Sequence, residues 1–370
     1  MLPVFENDPN DIKVVYNALK IIDSQKKTLV ECIIDVQDCG AAYRFLMAVL
    51  AITPGKWFLT GMPRLLQRPI LPLVNFLNAH GASIERTELG WCIKGTELQI
   101  DSFEIDTSET SQYVSALMMV KGEKRKEEKF LLLSEEKVAD GDLTPDDGRS
   151  DERVDGKAGR GSLYKNPYIK MTETILRCRG VLQYAPTLSD WSAAVFWIAD
   201  ALLKPNAHYL LKNLHFDDLQ GDAEIVSWFK KWGLHFTENK YGIEVKHIHQ
   251  VEISAQKINV ALMPDIAMIL AVLSVCYPFQ LTMSGLKNIN LKESKRLDIL
   301  VDELSKFTTV DKHSNDTITV YKRTHKLPES FHFDSYNDHR FVMAWSLFKN
   351  FGTVNIQKSD CVKKSYPDFL

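Results

Sequence analysis

The sequence predicts an α/β (α+β) protein made of duplicated building blocks in two domains, and three observations carry that prediction. A chain of 370 residues is longer than one simple core usually serves. Apolar residues make up 45% of it, enough to fill more than one core. An amphipathic helix, a glycine and a short strand recur in that order at several places, the mark of a repeated α/β unit rather than one doubly wound sheet.

The first such unit has apolar residues at helical spacing from Arg68 to His80, then Gly81 and a strand from Ala82. A helix from Tyr168 to Arg179 precedes Gly180. A helix from Ala223 to Trp232 precedes Gly233 and the strand Leu234 to Thr237. A helix from Asp338 to Phe351 precedes Gly352 and the strand Thr353 to Ile356. Glycine just past a helix closes it in the left-handed conformation. Two further helices are expected: Ser192 to Leu203 behind the cap residue Asp190, and Arg296 to Phe307 with Leu297, Leu300, Val301 and Leu304 on one face. Ser134 to Ser162 breaks the pattern. It is rich in charge and glycine and almost without large apolar side chains, so it reads as a mobile, solvated surface insertion.

Composition narrows the function classes. Net charge is -3, which gives no general affinity for nucleic acid. The six cysteines form no C-x-x-C pair and read as reduced thiols, not as a zinc site or disulfide framework. The opening residues lack a basic, then apolar, leader pattern. The longest apolar stretch, Ile266 to Tyr277, is too short to span a membrane. A cytoplasmic protein without a membrane partner is expected. His247-x-His249 shares one strand face but has no third ligand nearby, so no metal is expected.

Polar residues gather where helices begin. Thr110-Ser111-Gln112 opens Tyr113 to Val120, Asp265 opens Ile266 to Tyr277, Arg68-Pro69 opens Ile70 to His80, and Asp338-His339-Arg340 opens the helix before Gly352. Free N–H groups at a helix start attract phosphate and carboxylate. Ser, Thr and Asp also favour these positions as plain caps, and the residues leave both readings open. Asn288 to Arg296 concentrates Lys292, Lys295 and Arg296 around Glu293, either as a solvated turn or as an anion site.

Taken in order, these motifs resemble the 5-enolpyruvylshikimate-3-phosphate synthase family, from about Asp11 to Leu370. Asp38-Cys39-Gly40-Ala41-Ala42-Tyr43-Arg44 is similar to N-A-G-T-A-x-R. Leu59-Thr60-Gly61 through Arg68-Pro69-Ile70 is similar to L-T-G…R-P-I, Thr110-Ser111-Gln112-Tyr113 to S-S-Q-[FY], and Asn166-Pro167-Tyr168-Ile169 to K-P-Y-I. Asp190-Trp191-Ser192-Ala193-Ala194 resembles D-x-S-[SA]-A, and Pro264-Asp265 the segment of the catalytic aspartate. Lys292-Glu293-Ser294-Lys295-Arg296 resembles K-E-[ST]-[DN]-R, Asp338-His339-Arg340 the D-H-R motif, and Lys364-Ser365-Tyr366-Pro367 K-[ST]-[FY]-P.

The resemblance implies two similar lobes of βαβαββ units around a cleft, the first over residues 1–189 and the second over 190–370. It implies transfer of the enolpyruvyl group of phosphoenolpyruvate to the 5-hydroxyl of shikimate 3-phosphate with release of phosphate, in chorismate and aromatic amino-acid biosynthesis. Arg68, Arg296, Arg340, Lys364 and Gly40 would meet phosphoenolpyruvate. Thr110, Ser111, Gln112, Tyr168, Asp265, Asn288 and Lys292 would meet shikimate 3-phosphate. Asp265, Glu293 and Lys292 would carry the proton transfers. No metal or organic cofactor and no nucleic acid is implied, and a monomer is expected. The related transferase acting on UDP-N-acetylglucosamine fits less well, because no cysteine stands in the loop before Arg68-Pro69.

The chain departs from the pattern in places. The family's opening K-x-x-S-x-S-N-R has no counterpart, and Asn7 to Leu19 already resembles the helix that follows it. A truncated or divergent amino-terminal part is therefore expected, and with it the alternative of a catalytically impaired chain that only binds shikimate 3-phosphate. Asp38 stands where the family has Asn, Ala41 where it has Thr, Lys165 where it has a phosphate-contacting Ser, and Lys295 where it has Asp or Asn.

Overall fold

A computed structural model describes residues 5–25, 31–98, 100, 103–121, 131–132, 166–177, 189–216 and 219–370. The Ser134–Ser162 segment, Gly180, Cys178 and Lys165 lie outside them. Apolar side chains collect in two separate cores. One runs from Val14 to Ile169, the other from Trp191 to Val362.

In the first lobe, helix α1 (Asn10–Gln25) leads into strand β1 (Cys32–Asp35), helix α2 (Gly40–Ile52) and strand β2 (Gly55–Thr60). Short helix α3 (Pro63–Leu66), helix α4 (Leu71–Ala79) and the hairpin of β3 (Ser83–Arg86) and β4 (Trp91–Gly95) follow. The sheet order is β1-β2-β4-β3, with β1 and β2 parallel and the rest antiparallel. Next come β5 (Glu104–Ile105), α5 (Gln112–Val120), β6 (Leu131–Leu132) and α6 (Pro167–Arg177).

The second lobe opens with α7 (Trp191–Leu203), β7 (His208–Lys212), α8 (Ile225–Lys231), β8 (Leu234–Asn239) and β9 (Gly242–His247), whose strands pair as β7-β9-β8. Then β10 (Gln256–Asn259), α9 (Ala267–Cys276), β11 (Leu281–Ser284), α10 (Arg296–Leu304), β12 (Val310–Lys312) and β13 (Ile318–Val320) form a sheet of order β10-β11-β13-β12. Its first pair is parallel and the others antiparallel. This is the connectivity of the β1-to-β4 unit, so among the described residues each lobe holds a βαβαββ block with the same sheet order. A final βαβ, β14 (Ser330–Asp334), α11 (His339–Ser346) and β15 (Thr353–Gln357), closes the chain on a parallel pair.

Local rules explain most boundaries. The Asp190 carboxylate accepts the Ser192 N–H at 2.9 Å and starts α7. All ten residues of α9 are buried, so this helix is enclosed on every side. Gly81 and Gly233 both take φ +101°, as the helix–glycine–strand pattern requires. Gly352 differs from expectation. Its φ is not in the left-handed range, and it is needed for closeness: a Cβ there would sit 2.2 Å from the Glu329 carbonyl oxygen. The helix expected from Arg68 begins only at Leu71, because the residue before a proline is biased away from helix and Pro69 follows Arg68. The helices expected over 223–232 and 338–351 are shorter, each sharing its span with a 3₁₀ turn.

The hairpin turn at Gly242 offers a direct check of this backbone. Its φ is +138°, and a Cβ would meet the Leu211 carbonyl oxygen at 2.1 Å across the β7–β9 ladder. Gly242→Ala is expected to destabilise the second lobe by about 2 kcal/mol or more, read as a lower urea midpoint with an unchanged slope.

Candidate active site

Four segment ends of the second lobe converge. A 3₁₀ turn, Pro264–Ile266, carries Asp265 onto the start of α9. The loop 288–295 carries Asn288, Lys292 and Glu293 into α10, where the Asn290 side chain caps the Leu297 N–H at 2.8 Å. Asp338 caps α11 by accepting the Arg340 N–H at 3.0 Å. A last 3₁₀ turn, Ser359–Lys364, delivers Lys364.

Arg296 joins these ends. Its Nη1 lies 2.6 Å from Asp265, its Nη2 3.0 Å from Glu293, and its Nε 2.8 Å from Asp338. The guanidinium is almost sealed from water, at 1% exposure. Arg340 Nη2 stands 3.8 Å from Asp265, and Lys292 Nζ 3.6 Å from its other oxygen. Lys364 Nζ donates to Glu293 at 3.2 Å.

The first lobe supplies the opposite wall. Arg68, left outside α4 by its proline, reaches Glu293 at 3.4 Å. Gly40 opens α2 directly beneath it: a Cβ there would lie 2.5 Å from Arg68 Nη1. Arg64 of α3 donates to the Asn290 and Lys292 carbonyls at 2.9 and 3.2 Å and thereby grips the loop that bears Glu293. The Asn288 amide donates to the Ser108 carbonyl at 2.5 Å. Arg68, Arg296, Arg340, Lys364, Asp265 and Glu293 thus form one connected network between the lobes.

Beside this network lies a cleft of about 940 Å³. Thr110, Ser111, Gln112, Tyr168, Asp265, Asn288 and Lys292 all line it, together with Arg68. Arg296, Arg340, Lys364, Glu293 and Gly40 do not line it; they connect to its wall through Asp265 and Arg68. A volume of this size suits small-molecule ligands.

Electrostatics fixes the protonation states. Burial, the largest single influence, pushes Asp265 up, but Lys292, Arg296 and Arg340 together outweigh it and hold the carboxyl well below its usual range. Burial likewise opposes ionisation of Glu293, and Arg296, Lys364 and Arg68 reverse it. Both groups are carboxylates at neutral pH. Burial pushes His339 down to about 3, with Arg340 adding to the effect, so this imidazole is neutral. Burial, then Asp222 and Asp265, push the Tyr168 phenol up, and it stays a neutral hydroxyl.

Several donors at the site have no protein partner. Arg340 Nε and Nη1 and Arg68 Nε are buried and unpaired. A buried donor without an acceptor is costly, so these nitrogens suit the oxygens of an anionic ligand. Among the described residues no group of three or more His, Cys, Asp or Glu could hold a metal. The two nitrogens of His247 face the Lys204 and His249 carbonyls at 2.9 and 3.2 Å.

Comparison with known proteins gives the family. The family model described as EPSP synthase (3-phosphoshikimate 1-carboxyvinyltransferase) matches residues 10–135 and 185–370. A 3-phosphoshikimate 1-carboxyvinyltransferase of Bacteroides fragilis is 28% identical over 362 residues, covering 91% of this chain and 81% of its own. One of Aliivibrio fischeri is 26% identical over 406 residues, covering 98% and 88%. The EPSP synthase structure from Acinetobacter baumannii superposes with a TM-score of 0.60 at 19% identity, over 91% of this chain and 77% of that one, a likeness of fold.

Sequence reasoning missed three contributors, Arg44, Arg64 and Asp222. Arg44 is buried on the cleft wall and donates to Gly40, Gln112 and Pro69 at 3.0–3.1 Å, which ties three candidate segments together. Its place at the end of the Gly40 motif was the available signal. Arg64 acts on a segment distant in sequence, and nothing local marks it; Asp338, read as a helix start and as part of the D-H-R motif, also binds Arg296. Asp222 is buried, accepts a hydrogen bond from Ser192 and has an unpartnered second oxygen. Burial, opposed by the Ser192 bond and reinforced by Asp265, pushes Asp222 up to about 6. A carboxyl raised in the folded state binds its proton more tightly there than in the unfolded chain. Its stabilising contribution is full below the ordinary carboxyl range and is lost as pH rises through about 6. Asp222→Asn removes that loss. It is expected to melt above the parent at pH 8, by an amount on the order of 1–3 kcal/mol, with the gap closing as pH falls toward 4 in thermal scans.

Proposed function

The chain belongs to the EPSP synthase family, and from that premise we propose that it catalyses the 3-phosphoshikimate 1-carboxyvinyltransferase reaction. It joins phosphoenolpyruvate to shikimate 3-phosphate and releases phosphate, a step of aromatic amino-acid biosynthesis. The observation that carries this reading is the pair of buried arginines, Arg68 on the wall of the cleft and Arg340 beside Asp265 of that wall, each with a buried donor that has no protein partner.

Both substrates are multiply charged anions, and side by side they repel. Arg68, Arg340, Arg296 and Lys364 offset that repulsion by holding the phosphate and carboxylate of phosphoenolpyruvate, with Gly40 leaving room for Arg68. Thr110 and Ser111 at the start of α5 receive the 3-phosphate. Gln112, Tyr168, Asn288 and Lys292 hold the rest of shikimate 3-phosphate in the cleft. We assign residues 1–189 to the first lobe and 190–370 to the second.

The 5-hydroxyl oxygen attacks C2 of phosphoenolpyruvate, its proton leaves to a base, and the methylene carbon gains a proton to become methyl. Asp265 lines the cleft and is held ionised by three cations, which suits it to the hydroxyl side. Glu293 and Lys292 are the other proton carriers. Anion binding at Arg68 and Lys364 withdraws positive charge from Glu293 and raises its affinity for a proton at the moment one is needed. In the second half, a methyl proton is removed, the C2–O bond to phosphate breaks and the enol double bond re-forms. Fixed cations stabilise the charge throughout. The protein acts as a cytoplasmic monomer.

Phosphate release from phosphoenolpyruvate and shikimate 3-phosphate tests this reading. Turnover is expected, and Asp265→Ala and Arg340→Ala should each lower kcat by about a thousandfold. Shikimate 3-phosphate binding without any turnover in the parent protein would leave only the impaired alternative. Gly40→Ala should push the Arg68 guanidinium aside and raise the KM for phosphoenolpyruvate about tenfold, with the KM for shikimate 3-phosphate little changed.

A further inference from the structure

Lys364 differs from Arg68 and Arg340 at the site in one respect. Arg340 and Arg68 keep open donors, whereas a lysine ammonium has three hydrogens and three acceptors already surround this one. They are the Asp38 carbonyl at 2.7 Å, the Asp38 carboxylate at 3.0 Å and the Glu293 carboxylate at 3.2 Å. The ammonium is 6% exposed, so no water shell substitutes for them. It has nothing left to offer an incoming anion until one acceptor moves away.

Asp38 is the acceptor able to move. Glu293 is fixed by Arg296 and Arg68 and is 12% exposed, whereas the Asp38 side chain is 36% exposed. Asp38 belongs to the turn before α2 in the first lobe, and Lys364 to the last 3₁₀ turn of the second. The pair therefore also bridges the lobes.

The geometry points to Asp38 as an internal competitor for the anion: its carboxylate occupies Lys364 in the unliganded protein and must leave before a phosphate or carboxylate group can bind there. This makes Asp38 a determinant of affinity for the anionic co-substrate. It rests on the proposed enolpyruvyl transfer only for which anion is used.

Asp38→Asn tests it, because the amide oxygen keeps a neutral acceptor beside Lys364 while the competing charge is gone. Asp360→Asn is the control, since Asp360 is an exposed carboxylate paired with Lys363, next to Lys364 in sequence. Inorganic phosphate binding, measured by calorimetry on each protein, is expected to tighten about tenfold in Asp38→Asn and to stay unchanged in Asp360→Asn. In turnover, the KM for phosphoenolpyruvate should fall about tenfold, with kcat and the KM for shikimate 3-phosphate within twofold.

Equal or weaker phosphate binding by Asp38→Asn overturns the inference, as does undetectable binding to both proteins. Equal tightening in Asp360→Asn also overturns it, since that would mark a general charge effect. If phosphate binding tightens in Asp38→Asn alone but neither protein turns over, the competitor role stands and the enolpyruvyl-transfer reading fails.

Discussion

One guanidinium, shut away from solvent, holds the site together. Arg296 binds Asp265, Glu293 and Asp338, which come from the starts of α9, α10 and α11. Three carboxylates so close would repel one another without it, and a buried charge of either sign is expensive when unpaired. With it, each helix start is locked to the other two. The arrangement also settles the chemistry available: Asp265 and Glu293 stay ionised because a cation is built in beside them, and the same cation excludes water from their shared edge.

Around that centre the lobes are tied by bonds that join polar side chains to main-chain groups. Arg64 grips the carbonyls of the loop that carries Lys292 and Glu293, and Asn288 reaches the Ser108 carbonyl. Such bonds set distance without adding to the charge balance. The ionic contacts between lobes, Arg68 with Glu293 and Lys364 with Asp38, are of another kind. They place cations where anionic substrates would compete for them. Shape is thus held by one set of contacts and responsiveness by the other.

The sequence made a good part of this legible, and the physical reason is locality. Helix closure at Gly81 and Gly233 and the Asp190 cap depend on neighbours a few residues away. The extra turn expected at Arg68 failed because Pro69 overrode apolar spacing, and Gly352 was misread because its constraint comes from Glu329 across the β14–β15 connection. Of the candidate site, the motifs in order named residues that do gather at the cleft and in the network beside it. Capping and anion binding were offered as rivals, yet Asp338 does more than either: it caps α11 and binds Arg296. Arg44, Arg64 and Asp222 escaped notice because partners such as Gln112, the Asn290 carbonyl and Ser192 lie 30 to 226 residues away.

Helix α9 is enclosed around its whole circumference. Such a rod cannot roll or slide without opening the packing on every side, so the carboxylate at its tip is the least adjustable part of the reaction centre. Changes in the ligand accepted would have to be absorbed by the facing wall, where Thr110 and Ser111 stand just ahead of α5 and Tyr168 on α6, helices that are less encased. Retuning of ligand choice, by evolution or by design, would then concentrate there and leave Asp265 in place.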